Sequence, residues 1–283
     1  MPAKRTRLFV VLMLVSIVAV CAIPAAAAKY PQPKLWEHST PGVDRMPFVY
    51  GDTLYYVRDY DIYYSVWDNA ARAWSEPKEV PGTINTGANE IWPCVTGGGK
   101  VLYFGRYDPI SDYDFYRSEW DDAAGVWGEP VLIEPLSTDV QDWAIWVNED
   151  ETVAYVTTKG AYGNGATLGG RDIWKSVKVD GVWGTPVNIG APINTSGNEW
   201  SVFVDSDGRL YIDGVRELTV GASDIYVAEN ETVVPVNMGT AINSAADERE
   251  FSITDRFVFV SANKREGGAG GYDLWYIVLI PAE

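Results

Sequence analysis

From residue 44 to residue 280 the apolar positions fall in short runs, each ended by Gly, Asp, Asn or Pro. No stretch after residue 28 holds an apolar period near 3.6 between capping residues, so helices are not expected. The runs are too short for helices and rich in Val, Ile, Tyr and Trp, the composition of half-buried strands. One unit shows the order most fully: the loop Gly190 to Asn198, a carboxylate at Glu199, an apolar strand over 200–204, the turn Asp205-Ser-Asp-Gly208, and a second apolar strand over 210–212.

The same order returns behind Asp44, Glu90, Asp142 and Glu248. A third strand begins each time at an aspartate, at 61, 114, 172, 224 and 273, with gaps of 53, 58, 52 and 49 residues. The longest gap holds one Gly-rich insertion, Lys159 to Gly170. Outer strands carrying Trp74, Trp127 and Trp183 complete the first three units; the fourth unit has no Trp there. Five units of about four short strands at a near-constant period predict an all-β chain, a five-bladed β-propeller of four-stranded antiparallel blades. Each sheet has two apolar faces that only its neighbours can cover, so the ring must be complete. The last unit lacks an outer strand, and Lys34 to His38 has no earlier strand to pair with. The expectation is that this N-terminal strand closes the ring and removes an exposed edge. Blades are expected near 44–89, 90–141, 142–198, 199–247 and 248–280, within one domain spanning 29–283.

These residues carry a resemblance. Trp-x-x-Pro followed by Ile-Asn-Thr and an acid, then Asp-Gly-x-Leu-Tyr and Gly-Gly-x-Asp-Ile-Tyr, resembles the WD40-like propeller units of the TolB type, which also occur beside OmpA-like peptidoglycan-binding domains. The resemblance covers residues 34 to 280. It implies the propeller fold and a periplasmic or surface binding module. No OmpA-like unit is recognisable in the sequence, so a peptidoglycan partner is not implied.

Composition adds the compartment. Lys4, Arg5 and Arg7, the apolar run from Leu8 to Val20, and Ala26-Ala27-Ala28 read as a signal peptide over 1–28. The protein is expected to be periplasmic or secreted, with no transmembrane span once the signal is removed. Val18-Ala19-Val20-Cys21 offers a lipid-anchored alternative through Cys21, although Val20 is larger than the residue usual before such a cysteine. The segment holds three of the 22 basic side chains and none of the 39 acidic ones, leaving the remainder at a formal charge of −20. Nucleic acid is therefore excluded as a partner. Only Cys94 remains, so no internal disulfide forms, and the expected state is a monomer.

Candidate chemistry concentrates near the inner strands. Asp44, Glu90, Asp142, Glu199 and Glu248 form one ring of carboxylates, each just before an inner strand. One reading makes them a ligand or cation site at the channel mouth, and the other has each accepting bonds from its own loop. Trp92, Trp143 and Trp200 are candidates for stacking on sugar rings. Arg106 and Arg216 belong to a set of cations after the second strands that can reach the carboxylates. The function expected is a binding module for an envelope protein or glycan. The alternative is a glycoside hydrolase or lectin, with Glu90, Asp142 and Glu199 as the catalytic candidates. No cofactor is expected; Asp205-Ser-Asp-Gly208 hints at calcium but lacks the spacing of the remaining ligands. The aspartates at 61, 114, 172, 224 and 273 read as turn-fixing residues, and the insertion at 159–170 is the largest departure from the template. His38 is the only histidine, which leaves little room for His-based catalysis.

Overall fold

The computed structural model describes residues 30–279, and the expected signal peptide with Cys21 lies outside them. Five antiparallel sheets form the ring. The first blade runs Asp44–Tyr50, Thr53–Arg58 and Asp61–Asp68 from the axis outward. The inner strands of the other blades are Glu90–Thr96, Asp142–Val147, Glu199–Val204 and Asp247–Ile253. All five run the same way, so each begins at an upper mouth of the central channel and ends at a lower one.

The ring closes as the sequence predicts. Lys34–Leu35 pairs antiparallel with Tyr272–Val278, Lys34 opposite Tyr276 and Leu35 opposite Trp275. The next residue, Trp36, is 1% exposed and its backbone N–H donates to the Leu274 carbonyl at 2.8 Å. Its ring meets Tyr56 edge-on at 4.9 Å, and so joins blade five to blade one.

The outer strands differ from expectation. In the first three blades each is split in two, as Ala73–Trp74 and Lys78–Glu79 in blade one. The break falls at Trp-x-x-Pro, where Pro77, Pro130 and Pro186 have no N–H to give to the ladder. A serine on the third strand serves the displaced segment: Ser65, Ser118 and Ser176 donate to the carbonyls of Ser75, Gly128 and Gly184 at 2.6–2.7 Å. Blade four has neither the Trp nor this serine, since Ala228 stands there, and its outer strand is the single piece Val236–Asn237. The Trp, the Pro and the distant Ser are thus one device.

The core lies between blades. Trp67 and Trp74 of blade one pack on Phe257 of blade five at 5.2 and 4.9 Å. Backbones also approach closely on the upper side. A Cβ on Gly169, Gly221 or Gly270 would collide with the carbonyl oxygen of Gly197, Ala246 or Pro41 in the loop leading into the following blade. The repeated glycine three residues before the third-strand aspartate is therefore required by blade-to-blade contact.

Because Trp36 holds the closure, Trp36→Ala is expected to cost about 3–5 kcal/mol of unfolding free energy, read from urea denaturation of the parent and the variant. A loss below about 1 kcal/mol would show that this segment does not hold the ring shut.

Candidate functional site

The motif Ile-Asn-Thr with its acid is a structural clamp. In the loop entering blade two, Ile84 is buried, Asn85 pairs with both backbone groups of Ile62, and Thr86 donates from N and Oγ1 to Glu90 at 3.1 and 2.7 Å. Asn194 and Thr195 repeat these bonds to Ile173 and Glu199, and Asn243 and Ser244 to Ile225 and Glu248. Thr40 and Thr138 cap Asp44 and Asp142 in the same way. An arginine completes four of the five: Arg58 to Asp44 at 2.7 Å, Arg106 to Glu90 at 2.9 Å, Arg216 to Glu199 at 3.2 Å and Arg265 to Glu248 at 3.6 Å. Arg106, Arg216 and Arg265 also donate to the carbonyls of Ile84, Ile193 and Ile242.

All five carboxylates are at most 1% exposed, and each faces its own loop. They do not converge at the mouth, and among the described residues no three His, Cys, Asp or Glu side chains are placed to hold a metal ion. Asp172, Asp224 and Asp273 accept backbone N–H bonds from the turns before them. Asp205 is likewise occupied, by the backbone N–H groups of Asp207 and Arg209 and by the Tyr211 hydroxyl. Cys94 is buried, and burial pushes its thiol up to about 12.

Blade three breaks the pattern. The position of the arginine is held by Thr158, opposite Asp142 in register. Without a cation, burial pushes Asp142 up to about 7, against the hydrogen bonds of Thr138 and Thr158. The insertion begins here: Gly160 N donates to Thr158 Oγ1 at 2.8 Å, Tyr162 packs edge-on against Trp174 at 5.4 Å, and the segment ends at Arg171.

Every inner strand carries a bulge just after its acid, and a bulge re-aims the side chains beside it. The residues there are not held to one type: Arg45, Ile91, Trp143, Trp200 and Arg249 follow the five acids. Contacts between blades that are not neighbours show that side chains fill the axis. Arg45 of blade one lies 5.9 Å from the Trp143 ring of blade three, and Phe48 of blade one lies 6.1 Å from Phe203 of blade four.

At the upper mouth three guanidinium groups meet two indoles. Arg45 Nε donates to Glu250 Oε1 at 2.8 Å, and its guanidinium lies 4.3 Å from the Tyr272 ring. Arg249 Nε donates to Asp247 Oδ1 at 2.9 Å, and the Tyr272 hydroxyl donates to the other oxygen at 2.6 Å. Arg249 and Arg171 lie 4.3 and 4.4 Å from the Trp200 ring, and Arg171 lies 5.1 Å from Trp143. Trp200 therefore serves as a platform for cations rather than an open face for a sugar.

Arg171 is the odd member. It is 5% exposed, its terminal nitrogen donates to the neutral Gln141 amide, and its Nε has no partner. Burial, then the like charge of Arg249, lowers it to about 10. Nearby, Ser201 donates to Oδ1 of the buried Asp213 while Oδ2 has no partner, and burial pushes that carboxyl up to about 7. The indole N–H groups of Trp92 and Trp143 are also buried without partners. Below this layer Phe48, Trp146 and Phe203 plug the axis, above a lower cavity of about 870 Å³ edged by Glu149, Asp150, Asp205 and Asp255.

Of the candidate indoles, Trp143 and Trp200 lie against the arginines at the mouth, and Trp92 packs against two of the core clusters. Arg106 and Arg216 were read as able to reach the acids, and they do. The insertion that ends at Arg171 stands out in the sequence as the largest departure from the template, but nothing there singles out Arg45, Arg171, Arg249, Glu250 or Asp213 as a site residue. Their signal is that they break the template, as Trp143 and Trp200 also do, whereas the acids, Arg106 and Arg216 keep it.

No protein-family profile matches the chain, and no curated protein is significantly similar to it. Solved structures do resemble it. The α-L-arabinofuranosidase of Podospora anserina in complex with cellotriose superposes with a TM-score of 0.51 at 12% identity, over 88% of this chain and 94% of that one. The β-propeller domain of the trilobed protease of Pyrococcus furiosus gives 0.42 at 13% identity, over 84% and 82%. The tricorn protease gives 0.48 at 10% identity over 79% of this chain, which spans only 25% of the protease chain.

Asp142 has a consequence for pH. Its folded value near 7 lies above the ordinary carboxylate value, so between about pH 4 and pH 7 the folded state holds a proton that the unfolded state has lost. Its contribution to stability therefore falls as pH rises through that window. Asp142→Asn removes this term, so the variant is expected to gain on the parent by about 1–3 kcal/mol between pH 4 and pH 8. Parallel urea titrations at the two pH values check this; a constant difference would show that Asp142 is ionised throughout. Five antiparallel sheets in a ring closed by the N-terminal strand make one statement of kind: the chain is a five-bladed β-propeller.

Proposed function

We propose that the chain is an exported binding module of the cell envelope that holds a glycan ligand at the upper mouth of its channel. One observation carries this reading. The frame also holds unpartnered buried atoms, on Trp36, Trp74, Trp174, Trp275, Arg216 and Asp273 among others, but the frame arginines each reach an acid, whereas the buried Arg171 at the mouth has an unpartnered Nε and no ion pair; Asp213, Trp92 and Trp143 carry further unpartnered atoms. Buried polar groups are normally paired, and a ligand at the mouth would supply the partners. The surrounding loops add support. Ile110, Leu168, Leu218 and Val220 are exposed on the connections between second and third strands, at the same end of the ring, and apolar groups clustered around a polar site favour docking there.

Hydrolysis by Glu90, Asp142 and Glu199 draws no support from the geometry, because each accepts bonds from its own loop. The residues of the mouth form a set for holding a ligand rather than a pair of carboxylates flanking a bond.

The test is retention of the purified protein on insoluble cell-wall polysaccharide and on an array of soluble glycans, comparing the parent with Trp200→Ala and Arg171→Ala. The parent is expected to be retained by at least one glycan, and both variants to lose that retention by tenfold or more. Equal retention of all three would place the ligand elsewhere. Release of reducing sugar by the parent would make the module an enzyme.

A further inference from the structure

We infer that the group recognised at the upper mouth is a carboxylate on a hydroxyl-bearing scaffold, a sugar acid, with Arg171 taking the carboxylate and Asp213 a hydroxyl. This rests on the reading of that mouth as the ligand site and adds the chemical class.

Residues 29–283 carry a formal −20, yet three guanidinium groups gather at one point on the axis. Two are neutralised within the protein, Arg45 by Glu250 and Arg249 by Asp247. Arg171 has no carboxylate within ion-pair distance among the described residues, and Asp112 acts on it only from further away. Its polar contact is with an uncharged amide, and two indole rings take up part of its charge. A guanidinium 5% exposed with a free Nε is costly to hold unless an anion completes it.

The geometry selects the anion. The Nε–H and an adjacent Nη–H form a planar fork that matches the two oxygens of a carboxylate. The field disfavours a dianion, because Glu250, Asp247 and Asp213 all lie in the same cluster. A single negative charge neutralises Arg171, and a second would face Asp213 with no cation left to pair it.

The remaining unpartnered atoms select the rest of the ligand. Asp213 Oδ2 is a buried acceptor that a hydroxyl can satisfy. The Trp92 and Trp143 indole N–H groups are donors that ring or hydroxyl oxygens can satisfy. A simple carboxylate such as acetate leaves these empty, and a neutral sugar leaves Arg171 empty. A buried site with an unfilled polar group discriminates strongly against the analogue that lacks the complement.

Calorimetric titration of the exported chain, residues 29–283, with glucuronate, glucose, acetate, N-acetylglutamate and inorganic phosphate tests this. Glucuronate is expected to bind at least tenfold more tightly than each of the others. Binding is expected to weaken tenfold or more in Arg171→Met, which keeps bulk over the indoles but loses the charge. Oligogalacturonate separates sources: binding at or above the glucuronate affinity points to a polymer chain, and binding of the monomer alone to a free sugar acid. Equal affinity for glucose and glucuronate would overturn the carboxylate while leaving the mouth as the site. Tighter binding of N-acetylglutamate would replace the sugar acid by an acidic peptide, and tighter binding of phosphate would replace the carboxylate. If no probe binds while the glycan array still discriminates Trp200→Ala, the inference fails and the proposed function stands. If neither experiment responds, both fail. Should Arg171→Met not fold, the indole N–H resonances of the parent decide: those of Trp92 and Trp143 shift on adding glucuronate, and unmoved resonances overturn the assignment.

Discussion

The clamp between each entering loop and its acid is the interaction on which the upper face depends. A Thr or Ser four residues upstream donates twice to the carboxylate, and in four blades an arginine at the end of the second strand or just beyond it reaches the same acid. Such buried ion pairs add little net stability, because the cost of desolvation is close to the gain from attraction. What they supply here is position. They hold the loop against the start of the inner strand, and so decide which residue enters the bulge and which side chain meets the axis.

Blade three shows what the fold can do once one clamp is relaxed. Thr158 replaces the arginine, and its small side chain accepts a bond from Gly160 at the start of the insertion. The inserted segment then runs over Leu136, to which the Tyr162 hydroxyl donates, and delivers Arg171 to the axis. The blade loses a cation from its frame and gains one at the mouth. Frame and site are built from the same residue types in different places, and the repeat separates them.

Much of the architecture was legible because it is local and repeated. The blade count, the strand order and the closing strand follow from spacing alone. The split outer strand was less visible, although Pro77, Pro130 and Pro186 mark it, because the serine that makes the split tolerable lies on another strand. The acids were found as a ring, but recognising a clamp meant pairing Glu90 with Thr86 and Arg106 at once. The mouth was the least legible part. Arg171, Trp143 and Trp200 come from blades three and four, and Arg45 and Arg249 from blades one and five. No local pattern records that they meet. Arg171 directly precedes Asp172 of the repeat, and only its position in space distinguishes it from an ordinary loop arginine.

The aromatic layer of Phe48, Trp146 and Phe203 has a bearing on exchange. It turns a ring that could have been a conduit into a blind socket. Whatever settles on the arginines must leave by the opening through which it arrived, so a single rim sets both arrival and departure. A long polymer cannot thread through and can present only an end or a side group. The acidic cavity on the far side is separated from the arginines by that layer, so the two ends of one small ring present different chemistry.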